Sequence, residues 1–537
     1  MPSATAASSG SPATGLVKST AGATHVLTRL AIAGIAGSIL IMIAMSLVRD
    51  SWMYPPMAET GAAPPWDLRS LHVSAGVATV ALWVAVLAGA GGVVAGLVAV
   101  QRGARPSLRA MLVAAALAVV ALTVLPPAGS SDVFDYAAYG RMMALGHNPY
   151  LVTPARLRLA HNAFAQSVPV TWQHVVSVYG PLATVEQFLA AKLGGVSAAR
   201  VVFWLKAWDA IAFGAVAFVA DRLLRSDPAR RLRAHLLWTL NPLLLWDIVA
   251  AGHLDVLAAA VGLAGLLALG EQADGARPGL ARVLTAGALI GIAADIKINY
   301  ALFGLGLAWA LRRSPARLAA AAAAGIAVVA PGYVWFGLPA VRALADRRDG
   351  VSADSFYRLL SLASHWQSHV APLAAVLVAA TALLAVRRMP AGALSRPAIR
   401  PALALSAAWL FFWPYQFAWY DVMIICLLLF YPASRLDWLV LARLTAGTIP
   451  TIPGNPPTIM VATSSHLVIG FHNAAVYALV PLVLLGAAAG LVALCLSGRW
   501  NPGGPGGPPG AQPPGTPRVA EPGSAAPVGR VGAADRA

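Results

Sequence analysis

From Val26 to the end of the fifth hundred of residues, the chain repeats one pattern: long apolar runs, each closed by a short polar or Pro/Gly-containing turn. A helix needs about 20 predominantly apolar residues to cross a bilayer. Runs meeting that requirement follow one another along most of the chain and predict an all-α, polytopic transmembrane helical bundle of roughly 13–14 spans. The first run, Val26 to Val48, is longer than the apolar stretch of a secretory signal and lacks a clear small-residue cleavage site, so it reads as a span. Composition agrees: 58% of residues are hydrophobic and only 11% charged, against roughly a quarter charged in an ordinary soluble domain.

The ends break the pattern. Residues 1–24 are Ser, Ala, Thr and Gly and read as a disordered start; residues 501–537 are rich in Pro and Gly and read as a disordered cytoplasmic tail. Residues 25–500 form one membrane domain. The formal net charge is +17. In a soluble protein that would invite nucleic acid, but here the arginines sit in short loops between spans, and no nucleic-acid partner is expected. Arg102, Arg105 and Arg109 form one cluster, Arg222 to Arg233 a second, Arg312, Arg313 and Arg317 a third, and Arg387 to Arg400 a fourth. If these loops are cytoplasmic, then segments 49–72, 128–196, 338–365 and 451–466 face outward. Segment 338–365 is then an exception, with Arg342, Arg347, Arg348 and Arg358 on the outer side, where they fit an anionic partner or else mark a slip in the alternation. Segment 176–194 reads as a helix lying at the outer interface, because a full span there would move the Arg222–Arg233 cluster outside. Cys426 and Cys495 are isolated in apolar runs and imply neither disulfides nor a metal cage.

The polar chemistry gathers in the turns of one parity. After Leu125-Pro126-Pro127 stops a span, Ser130 and Ser131 can cap a short helix starting near Asp132. On that helix Asp132, Tyr136 and Tyr139 share a face, Asp135 and Tyr139 stack four apart, and Gly146 suits a left-handed end before the turn Asn148-Pro149-Tyr150. Paired carboxylates beside aromatic rings suit sugar chemistry: an ionised Asp can take a hydroxyl proton, and tyrosine rings can lie against a sugar face. The competing reading makes Asp132 a mere cap and Asp135 a solvated acid. Further along, Tyr179-Gly180-Pro181 makes a rigid turn; Asp247, His253 and Asp255 approach the same surface, and so do Asp295 and Lys297. Lysine is scarce (Lys18, Lys192, Lys206 and Lys297), and an ammonium at an outer helix end can hold a phosphate as a point charge. Trp413, Tyr415, Trp419 and Tyr420 cluster around Pro414, as sugar contacts or as an interfacial aromatic belt. No short metal-ligand spacing occurs, and neither a metal nor another cofactor is expected.

The order of these pieces carries a resemblance. An outer loop opening with Asp132, a D-x-x-x-Y helix, a G-x-N-P-Y turn, a Y-G-P-L run, N-P-L followed by G-H-x-D, and a lone Lys, over roughly residues 110–430, resembles the GT-C glycosyltransferases of actinobacteria. Within them it is most similar to the polyprenol-phosphate-mannose-dependent α-1,6-mannosyltransferases of the lipomannan and lipoarabinomannan mannan core. The resemblance implies mannose transfer from a polyprenyl phosphate to a mannoside acceptor by one inverting displacement, on the outer face of the cell membrane. It implies Asp132 as base, with Asp135 beside it in a less certain role. Lys297 and Arg358 would meet the donor phosphate, and Tyr136, Tyr139, Asn148, Tyr150, Tyr179, His253, Asp255, Trp413, Tyr415 and Tyr420 would meet sugar or acceptor. Partners are then a polyprenyl-phosphate-linked sugar, a glycan or glycolipid acceptor and the lipid bilayer. Two alternatives stay open: the same fold using arabinose or another hexose, and a flippase or transporter of lipid-linked glycans. A transporter expects polar residues strung along a path through the bilayer, whereas here they collect at the outer helix ends.

Overall fold

Long stretches of Ala, Leu, Val and Gly with few β-breaking turns can satisfy their backbone in lipid only as helix. The structure, a computed structural model, describes residues 12–47, 63–66, 73–159, 162–270, 278–345, 350–364, 367–390, 396–452 and 465–501. Among them every regular element is helical and no strand occurs. The first helix, Pro12–Leu47, begins inside the segment expected to be disordered, while residues 1–11 and 502–537 lie outside the described residues.

Among the described residues, six helices are long and apolar enough to cross a membrane: Gly22–Leu47, Gly76–Gln101, Ala198–Leu223, Pro315–Phe336, His369–Arg388 and His466–Ser497. The pair Pro228–Ala250 and Asp255–Ala268 passes the same test taken together and is bent by 113° at its break. Only some of the expected 13–14 apolar runs are single long helices. The remaining apolar segments, such as Leu108–Val124, Ile298–Leu311, Ile399–Phe412 and Ala418–Leu428, are shorter helices. Hydropathy counts apolar length; it does not see where the chain stops being a straight helix. Within segment 176–194 the helix Pro181–Gly194 has 14 residues, about 21 Å of rise. It packs between Asp132–Ala144 and Ala198–Leu223.

The connectivity sorts the two ends of the bundle. Leu108–Val124, Pro228–Ala250, Leu280–Ile296 and Ile399–Phe412 run towards Asp132, His253, Lys297 and Trp413 respectively. Ala198–Leu223, Asp255–Ala268 and Ala301–Leu311 run back, and the arginine clusters lie at their far ends. Pro315–Phe336 then returns, so 338–364 belongs to the end of the bundle that holds Asp132, as the alternation required despite its arginines. At the arginine end, Arg233 makes a two-pronged contact with Asp437, at 2.6 and 2.7 Å, and both side chains are buried. The same guanidinium donates to the carbonyls of Leu428 and Tyr431. One arginine thus ties three segments together.

Removing one partner of a buried pair leaves an uncompensated charge, so Arg233→Ala should destabilise the fold by about 3–5 kcal/mol. A thermal melt of the detergent-purified protein checks this, and an unchanged melting temperature would contradict it.

Candidate functional site

Each piece of the site sits where a helix is interrupted. Ser131 stands at the cap position of Asp132–Ala144 without a side-chain cap bond; the Ser130 hydroxyl instead accepts from the Asp132 backbone N–H at 3.2 Å. The expected helix start is therefore present, with Ser130 doing the work expected of either serine. Helix Pro228–Ala250 ends in a π-helical turn, Leu245–Ala250, and Gly252 then adopts φ +74°. A side chain at Gly252 would press on Lys206 and Val133 within 3.0 Å. Glycine there permits both the left-handed turn and the close approach, and the turn delivers His253 and Asp255. Asp247, on the π-helical turn, accepts from Thr448 at 2.7 Å and supports the bend.

Gly180 solves a different packing problem. Its φ is ordinary, −72°, but a Cβ there would overlap the Asp295 carbonyl. The Asp295 carboxylate accepts the Leu182 backbone N–H at 2.9 Å. The Y-G-P-L run is thereby docked on the end of Leu280–Ile296, which brings Tyr179 and Lys297 to one cavity.

These elements surround one cavity of about 540 Å³. Its polar end carries Asp132, Tyr179, Lys297, Asn299, Tyr415 and Tyr420; its apolar flank carries Ile298, Ala301, Leu302 and Leu305 with Trp409 and Trp413. Ile298 and Leu305 are more than half exposed, so the apolar flank is open rather than sealed by packing. The Lys297 ammonium donates to Asp255 at 2.6 Å and lies 4.2 Å over the Tyr420 ring. His253 is buried and stacks on Trp419 with centroids 4.0 Å apart; its Nδ1 lies 3.9 Å from Asp132 and 3.5 Å from the Tyr136 hydroxyl. Tyr179 donates to Tyr136 at 3.3 Å. Trp419 in turn stacks on Phe417. Burial pushes the Asp132 carboxyl up to about 6, with Lys297 pulling it back. Asp135 is pushed well above the usual carboxylate range by burial and then by Asp132.

The predicted residues divide into three groups. Asp132, Lys297, Tyr179, Trp413, Tyr415 and Tyr420 line the cavity. Tyr136, His253 and Asp255 form a buried layer directly behind it. The others lie elsewhere. Asp135 is buried in the protein interior. Tyr139 donates to the Val175 carbonyl, and Tyr150 donates to the Tyr179 carbonyl and meets Thr184. Asn148 accepts from the Tyr150 N–H and so shapes the turn. Arg358 donates to the carbonyls of Val351 and Ser352 and is not among the cavity-lining residues. Helix periodicity could not separate these roles, since Tyr136 and Tyr139 face different neighbours. Trp172, Asn299 and Trp409 also line the cavity; Asn299 sits in the 3-10 turn Ile298–Tyr300 directly after Lys297, and its closeness in sequence to the scarce lysine was the one signal that could have found it. Among the described residues no group of three metal-ligating side chains converges.

Comparison with known proteins now decides the family. A family model described as "Alpha-(1->6)-mannopyranosyltransferase, N-terminal domain" matches residues 31–313, more than half of the chain. The chain belongs to this family. It is 32% identical over 166 residues to a probable alpha-(1->6)-mannopyranosyltransferase of Mycolicibacterium smegmatis, covering 31% of this chain and 30% of that protein. It is 30% identical over 146 residues to an alpha-(1->6)-mannopyranosyltransferase of Mycobacterium tuberculosis, covering 27% and 24%. It is 29% identical over 203 residues to alpha-(1->6)-mannopyranosyltransferase B of Corynebacterium glutamicum, covering 35% and 32%. The matched segments thus span about a third or less of these curated relatives. The family match contains Asp132, Tyr179, His253, Asp255 and Lys297 and stops before the aromatic wall of Trp409 to Tyr420.

The docking of Gly180 against Asp295 makes the mannopyranosyltransferase-family site sensitive to one methyl group. Gly180→Ala should cost about 1–3 kcal/mol by overpacking, read as a lower melting temperature. A melt equal to wild type would show that the two segments can separate freely.

Proposed function

We propose that the protein transfers mannose from a polyprenyl-phosphate donor to a hydroxyl of a mannoside acceptor, with inversion, on the outer face of the cell membrane. The observation that carries this reading is the cavity itself. One continuous space joins a carboxylate and an ammonium at its polar end to an open apolar flank. A sugar on a lipid phosphate has the same distribution of chemistry: hydroxyls, one charged group, then a hydrocarbon tail. The activity named for the relatives favours mannose, and the arginine clusters at the opposite end favour an outward-facing site.

In this mechanism the donor's hydrocarbon lies along Ile298, Leu302, Leu305 and Trp409, and its phosphate reaches Lys297. The sugar lies among the rings of Tyr179, Tyr415 and Tyr420, where C–H faces meet aromatic faces. Asp132 accepts the proton of the acceptor hydroxyl as that oxygen bonds to the anomeric carbon. The anomeric carbon–oxygen bond to phosphate breaks, and the electron pair leaves with the polyprenyl phosphate, whose growing charge Lys297 stabilises. His253, itself paired with the Tyr136 hydroxyl, backs the Asp132 carboxylate, and the stack of His253, Trp419 and Phe417 keeps that wall rigid.

Incubating the purified protein with polyprenyl-phosphate mannose and a short mannoside tests the reading. Asp132→Asn should abolish transfer while the protein melts normally; near-normal turnover would remove Asp132 as base. Asp132 must be ionised to act, so kcat/KM should fall as pH drops through about 6 and approach a tenfold loss per pH unit below it. A pH-independent rate down to pH 5 would contradict this assignment, and preferential consumption of a different lipid-phosphate sugar would change the sugar but not the site.

A further inference from the structure

Asp255 is the second acid of the site, and its surroundings differ from those of Asp132. It opens the helix Asp255–Ala268 directly after the Gly252 turn and is fully buried. One carboxylate oxygen accepts the Lys297 ammonium at 2.6 Å, so the lysine lies between Asp255 and the cavity. Its backbone carbonyl accepts the Tyr300 hydroxyl at 2.8 Å, and Tyr300 is itself fully buried three residues beyond Lys297. Asp255 does not line the cavity, whereas Lys297 and Tyr420 do. A sugar in the cavity would meet the lysine before it met this acid.

A lysine side chain has four rotatable bonds and about 2 kcal/mol of rotamer entropy to lose when it is fixed. Here the ammonium is held from two sides, by the carboxylate behind it and by the Tyr420 ring at 4.2 Å. An ammonium has three N–H donors; with one spent on Asp255, the others remain for an anion in the cavity.

We propose that Asp255 is a positioning residue: it acts through Lys297, fixing the ammonium where the donor phosphate binds, and the Tyr300 hydroxyl holds Asp255 in place. This reassigns Asp255 from sugar contact to the support of the phosphate contact, and it rests on the lipid-phosphate reading above.

Polyprenyl phosphate without its sugar serves as the probe, since it carries the phosphate and tail alone. Full-length Asp255→Asn in detergent should raise the donor KM and the inhibition constant of polyprenyl phosphate about tenfold or more, as loss of a charge-assisted hydrogen bond does. The KM for the mannoside should stay near wild type. Combining Asp255→Asn with Lys297→Met should bind polyprenyl phosphate no more weakly than Lys297→Met alone, because residues acting through one contact are not additive. Additive losses, or an equal rise in mannoside KM, would overturn the proposal. Tyr300→Phe should shift the same inhibition constant in the same direction by less; if Asp255→Asn does not fold, an unchanged constant in Tyr300→Phe overturns it. A wild-type protein that neither consumes polyprenyl-phosphate mannose nor responds to polyprenyl phosphate would instead sink the functional reading on which this one stands.

Discussion

Inside hydrocarbon no water is present to bond a free peptide group, and each one left unsatisfied costs several kcal/mol. That constraint makes the described chain helical and makes every interruption of a helix expensive. The interruptions nonetheless concentrate at one end of the bundle, and each is closed by a buried polar side chain from elsewhere. Lys206 donates at 2.6 Å to both the Leu122 and Leu125 carbonyls at the span end that leads to Asp132. Asp295 accepts the Leu182 N–H, and Tyr300 donates to the Asp255 carbonyl. Ser352 both donates to and accepts from the backbone of Gln416, and Arg443 reaches Asp421 and Gln416 beneath the aromatic wall. The breaks supply the irregular backbone that a site requires, and these bonds make the breaks tolerable.

The same logic sorts the carboxylates. Asp132, Asp135 and Asp255 are all removed from bulk water, yet their neighbours differ. Asp132 borders the cavity and faces a histidine and a tyrosine hydroxyl; Asp255 is covered by an ammonium; Asp135 is enclosed by the helix packing behind Asp132. Two acids three residues apart therefore have separate environments, and only one can touch a ligand. Environment rather than residue type divides the labour, as in other sites with several acids.

On the proposed lipid-phosphate reading, the cavity also explains why a soluble enzyme would not serve. Its polar end is built from loops and helix termini at the bundle's edge, and its apolar flank from the sides of helices. A ligand filling both would have to stay in the membrane while its head was processed. The aromatic wall, from Trp409 to Tyr420, comes from a part of the chain beyond the family match. Variation there would alter what lies against the sugar without touching Asp132 or Lys297.

Much was legible from residue order alone. Apolar run length dictates membrane helices, because bilayer thickness sets a length that composition must fill. Scarcity picked out Lys297, and the Ser-Ser-Asp sequence after two prolines marked the start of the Asp132 helix. The arginine alternation also placed 338–364 at the correct end. Straightness was not legible: a 113° break at Gly252 leaves hydropathy unchanged. Nor were partners. Tyr136 and Tyr139 are equivalent on a helical wheel, but one bonds towards His253 and the other to Val175; Arg358 carries the right charge and spends it on carbonyls. Helical periodicity and charge are local properties, written in neighbouring residues. Which side chain meets which across 40 to 120 residues depends on how the broken helices pack, and only the tertiary structure decided that.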